Sequence, residues 1–89
     1  MYIQLTNSSN LTASLSREAF LLFKRCENIL TSIVICNNKT LINRLEKELY
    51  QLEKRRSDIK DIAVEMKKNE MGEYLSLDYL LEVCSRQLT

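Results

Sequence analysis

Proline is absent from this 89-residue chain, and Gly72 is its only glycine. Turns lean on those two residues, whereas helix interiors exclude them, so their scarcity predicts an all-α chain. Histidine is absent too. That removes the commonest general base near neutral pH and the commonest metal ligand. A single glycine cannot build a glycine-rich phosphate loop, and no Cys or Ser has a basic partner in a nucleophile motif. Cys26, Cys36 and Cys84 lack the short Cys-x-x-Cys spacing of zinc and redox sites. They read as small core residues in a reducing compartment. The expectation is a protein that is not an enzyme, with no catalytic residue, cofactor or metal. The longest apolar run, Ile29 to Cys36, is far short of the roughly 20 residues a bilayer needs. With no secretion signal at the N-terminus, a cytoplasmic location without a membrane partner is expected.

What the chain does have is periodicity. Ile42, Leu45, Leu49, Leu52, Arg56, Ile59, Ala63 and Met66 recur in steps of three and four. The residues between them are mostly charged or Gln. This is an a/d heptad, the mark of a helix that buries one seam. It predicts a helix over about 39–71, with Asn38 or Thr40 as N-cap and Gly72 just past the end. A second seam, Leu15, Ala19, Leu22, Cys26, Ile29, Ile33 and Cys36, predicts a helix over about 15–36 capped by Ser14. A further apolar row, Phe20, Phe23, Leu30 and Val34, flanks that seam. Asn37-Asn38 is a helix stop, and a break this short predicts an antiparallel hairpin. A short helix capped by Ser76 is expected over about 77–88. Residues 1–14, rich in Thr, Asn and Ser, read as a flexible polar tail before a single helical domain, 15–89. Helices of about 50, 33 and 18 Å suggest the two shorter ones laid end to end along the longest, with coiled-coil-like packing. A three-helix bundle is the alternative.

Net charge is +1, which sets no strong pull toward nucleic acid. The densest basic run, Lys54, Arg55 and Arg56 with Lys60, Lys67 and Lys68, is interleaved with Asp58, Asp61 and Glu65. Arg56 differs from its neighbours because it sits on the seam. A charge there fixes register or partner, or its stem packs while its guanidinium reaches an acid such as Glu53. A parallel self-coil would set Glu48 against Glu53 and Arg55 against Lys60, so that arrangement is disfavoured.

These features predict a non-enzymatic protein–protein interaction module, with a protein partner or a second copy bound through Phe20, Phe23, Leu30, Val34 and Arg56. A small chain has limited surface to bury on itself, and the two-row face of the first helix exceeds what one neighbour covers. An accessory subunit of a nucleic-acid-processing complex is the alternative, using Lys54, Arg55, Lys60, Lys67 and Lys68. A secretion-type co-chaperone with one client is another. Ser57-Asp58-Ile59-Lys60-Asp61-Ile62-Ala63 and the Ser76-capped helix resemble the C-terminal part of the small helical subunit of the meiotic strand-exchange mediator complex. Arg56 stands where that pattern has an aromatic residue. Secretion co-chaperones are similar in length and pattern only.

Overall fold

Helix ends in this chain are set by Asn and by turn geometry. The computed structural model describes the backbone of residues 2–88 and the side chains of residues 10–88. Three helices follow one another, α1 (Tyr2–Ile35), α2 (Lys39–Lys68) and α3 (Tyr74–Ser85), and no strand occurs among the described residues. Between α1 and α2, the Asn38 side chain accepts a hydrogen bond from the Leu41 amide at 3.1 Å. Of the two expected caps, Asn38 is the one used. It satisfies a backbone donor that the first helical turn leaves free.

The other end of α2 differs from expectation. The helix stops at Lys68, and Glu70 rather than Gly72 takes the first left-handed position, with φ 55°. The Met71 amide donates to the Met66 carbonyl at 2.7 Å and the Glu70 amide to the Lys67 carbonyl at 3.2 Å. That pair of bonds is a complete Schellman closure. Gly72, with φ 100°, is required for another reason. A Cβ added there would stand 3.2 Å from the Thr12 hydroxyl of α1. The turn therefore needs both left-handed backbone and an empty side-chain position.

α1 passes through most of the segment expected as a tail. The flexibility expected there falls largely on residues 1–9, whose side chains lie outside the described residues. Thr12 is only 2% exposed, in the region where Gly72 approaches. Tertiary packing thus outweighs the weak helix preference of the Thr-, Ser- and Asn-rich stretch, and Ser14 is interior to the helix rather than its cap. α3 begins three residues before its expected start. Glu73 is its N-cap residue, and the Ser76 hydroxyl donates to the Glu73 carboxylate at 3.3 Å.

Because α1 is this long, α3 lies beside it and not beyond its end. The side-by-side bundle, not the end-to-end arrangement, is the packing observed, and all three helix pairs touch. The core gathers Leu15 and Ala19 of α1, Ile59, Ala63 and Met66 of α2, and Leu77, Leu80, Val83 and Cys84 of α3. Ala19 and Ala63 have no exposed surface, which lets α1 and α2 approach closely here. Each fully buried Leu or Ile contributes about 1.5–3 kcal/mol. Above α3 the hairpin continues as two helices alone, in a molecule 55 Å long and 20 × 16 Å across.

Candidate interaction surface

The seam does not change character along α2, but its burial does. Ile59, Ala63 and Met66, at the level of α3, are buried, whereas Ile42, Leu45, Leu49 and Leu52 above it are only half-buried. On α1 the pattern is different: Cys26 and Ile29, which the Arg25–Glu48 pair places beside the upper part of α2, are fully buried, whereas Leu22, Leu30, Ile33 and Cys36 are half-buried. The upper two-helix arm ends in a tip where Val34 is 83% and Ile35 75% exposed, with Leu41 also exposed.

Ion pairs fix how the helices face one another. Arg25 of α1 grips Glu48 of α2 with two bonds of 2.8 and 3.0 Å. Arg55 of α2 grips Glu18 of α1 with two bonds of 2.7 and 3.0 Å. The arginine hydrogen bonds, helped by charge attraction and opposed by partial burial, hold both carboxyls below their ordinary titration range. On the opposite edge of α2, the Lys67 ammonium donates to Asp78 of α3 at 2.7 Å and lies 4.6 Å from the centre of the Tyr74 ring. Hydrogen bonding to Asp78 first, then to Tyr74, raises its proton affinity. Bidentate arginine–carboxylate pairs carry geometric specificity, and here they set the register of α1 against α2.

Arg56 occupies the boundary between the two regions. It is 7% exposed, and its guanidinium is turned to the chain's own interior. Its Nη1 donates to Glu53 at 3.0 Å, and its Nη2 reaches the carbonyls of Val83, Cys84 and Arg86 at 3.4, 3.3 and 2.9 Å. Those carbonyls end α3, where the helix dipole is negative, so Arg56 is a long-range C-cap. Among the described residues its Nε has no hydrogen-bond partner. The Phe23 ring lies 5.4 Å from the Arg56 guanidinium and 6.0 Å from that of Arg86, and only 8% of Phe23 is exposed. Phe23 therefore belongs to the interior as well. Sequence spacing gave no sign of this, since the carbonyls that recruit Arg56 come from residues some thirty positions away.

The remaining expected interface residues are at the surface. Phe20 is partly exposed beneath the Lys24 ammonium, 5.7 Å from the ring centre. Leu30 is half-buried and Val34 open. Ile35, Leu41 and Tyr50 are further exposed apolar residues that seam counting passes over, because they lie off the heptad. A second exposed group, Met71, Tyr74, Leu75 and Tyr79, stands at the opposite end, beside a shallow cleft of about 330 Å³ floored by Thr12, Ala13 and Ser16.

The basic residues do not form one patch. Lys54, Lys60 and Lys68 are exposed, but Arg55 is engaged by α1 and Lys67 by α3, on opposite edges of α2. Burial raises the proton affinity of the Cys26 and Cys84 thiols, and Cys36 at the arm's turn is less buried. Among the described residues no cluster of His, Cys, Asp or Glu has the makings of a metal site. No described helix is long and apolar enough to cross a membrane. Compared with known proteins, the chain has no significant match to a protein-family model, to a curated protein or to a solved structure. The local likeness at residues 57–63 does not extend to a family match.

Proposed function

We propose that this chain is a non-catalytic helical module that binds other proteins by helix packing along its two-helix arm. The observation that supports this reading is the incompletely covered seam of α2. Ile42, Leu45 and Leu49 keep the heptad of a buried helix face but lose their third neighbour above α3. Val34 and Ile35 add open aliphatic surface at the tip. Apolar surface held in this way by a rigid scaffold gains free energy when a partner removes it from water, at about 25 cal/mol per Å² before ordering costs. Three free thiols, two of them buried, fit a reducing compartment.

A photo-crosslinking residue at position 34, with position 68 as control, tests this reading in cell extract. Protein adducts concentrated at position 34 support it. Absence of any adduct there, combined with salt-sensitive DNA or RNA binding that disappears when Lys54, Lys60 and Lys68 are made neutral, would replace it with the nucleic-acid reading.

A further inference from the structure

We propose that the occupant of the arm is the arm of a second copy, laid antiparallel across a two-fold axis. This rests on the interaction reading above and names its partner. Continuity with the seat of α3 is the first support. Arg56 and Phe23 mark where α3 ends against α1 and α2. Seven-residue steps stay on one helix face. From Arg56 they lead to Leu49 and Ile42, and from Phe23 to Leu30, with Val34 one turn further. The face that receives α3 below thus runs on to the turn at Asn38, half-buried at Leu49, Ile42 and Leu30 and open at Val34. From Glu53 to Asn38 it is about 24 Å long, which is more than the length of α3 itself.

Charge decides the direction and favours a copy over an unrelated helix. Residues 28–45 contain Lys39 and Arg44 and no acid, whereas residues 46–53 and the facing stretch 20–27 of α1 contain Glu27, Glu46, Glu48 and Glu53 against Lys24, Arg25 and Lys47, with Glu48 and Glu53 already bonded by Arg25 and Arg56. Antiparallel overlay puts the basic tip of each copy on the acidic part of the other, twice. Parallel overlay sets like on like. Lys39, Glu46 and Glu53 follow one another at seven-residue steps along the edge that bears Lys67 and faces α3. With the axis at the level of Glu46, Lys39 of one copy meets the half-exposed Glu53 of the other. The two Glu46 carboxylates then face each other at the axis, a cost the arrangement must carry. An isologous contact of this kind closes as a dimer and does not propagate.

Sedimentation equilibrium of the purified full chain, paired with spin labels on Cys36, tests the proposal. Cys36 is the accessible thiol, since Cys26 and Cys84 are buried. The expected result is a dimer with a label separation of about 27 Å, twice the rise from Cys36's turn to the axis. Val34→Glu should weaken dimerisation at least tenfold without loss of helix, because Val34 contacts little of its own chain. Lys39→Glu should weaken it, and Glu46→Gln should tighten it about threefold by removing the like-charge contact. A monomer at millimolar concentration overturns the proposal, as does a dimer indifferent to Val34→Glu or one with labels within about 15 Å, the parallel case. Position-34 adducts to a different protein with a purified monomer would leave the interaction reading standing and remove the self-copy. Binding of that monomer to phosphatidylserine vesicles would assign the tip to a lipid surface instead.

Discussion

The lower half of this molecule and its upper arm are built from the same repeat, yet only below is the α2 side of the seam fully buried. Below, Ile59 and Ala63 of α2 meet Leu80 and Val83 of α3, and none of the four retains exposed surface. Above, Leu45, Leu49 and Leu52 hold equivalent seam positions on the same helix and stay half-buried. The residue types hardly differ. What differs is a third helix. A heptad therefore reports a face's capacity for burial, and its actual burial depends on what lies alongside.

The sharpest test of that contrast is a matched pair of truncations. Leu80→Ala empties a fully covered site and should cost about 2–5 kcal/mol in urea unfolding, the range for core Leu truncations. Leu45→Ala removes a half-covered side chain and should cost about half as much or less, with little cavity term. Equal losses at low protein concentration would break the comparison, since they would mean the arm is covered within a single chain.

Next in size is the boundary residue. Arg56→Met keeps most of the stem's packing but leaves the carbonyls of Cys84 and Arg86 without this donor, while Val83 keeps the Arg86 amide. The loss should be about 1–3 kcal/mol, reduced because the unpartnered Nε and a buried charge also disappear. Hydrogen exchange should speed up in the last turn of α3 and stay unchanged at Leu41 to Leu45. A neutral Met substitution would strip Arg56 of its role as a cap.

Much of this was legible in the residues themselves. The absence of proline, the two seams and Asn37-Asn38 led to three helices and the hairpin, and the exposed Val34 was visible as an off-seam apolar residue. What escaped depends on contacts between distant segments. Arg56 on the seam signalled something unusual, but only the arrival of α3's last carbonyls says what. Phe23 shares a row with Val34, yet Arg56 and Arg86 enclose one and leave the other open. The stretch up to Ser14 has the composition of a cap or tail, and its helical state follows from burial of Thr12 beside Gly72. Gly72 itself was expected to end α2, but Glu70 does so.

That turn anchors the lower half and gives a pair of smaller tests with opposite signs. Gly72→Ala meets both a positive φ and the Thr12 hydroxyl, and should destabilise by about 1–2 kcal/mol. Glu70→Gly relieves a non-glycine left-handed residue that is exposed and should stabilise by about 0.5–1 kcal/mol. Thermal melts of the two variants should move in opposite directions from the parent. A Gly72→Ala variant as stable as the parent would mean that α1 does not press on this turn.

The smallest effect addresses what holds the arm at all. Its apolar seam is half-open, so Arg25–Glu48 carries a larger share of its register than Arg55–Glu18 does below, where a core already fixes the helices. Both carboxyls titrate below their ordinary range in the folded chain because arginine donates to them. A carboxyl with a lowered folded pKa stabilises above its unfolded value and loses that contribution as pH falls through the folded one. Acid should therefore loosen both pairs, starting just below the usual carboxylate range. Both are largely solvated, so global stability should change little, and salt should mimic acid by screening. The local consequence should differ between the halves. Amides from Arg44 to Leu52 should lose protection as pH drops toward 3, while those from Ile59 to Met66 keep theirs. Glu48→Gln should abolish the acid dependence in the arm, and Glu18→Gln should leave it in place. If the two halves lost protection together, packing and not charge would be setting the arm's register.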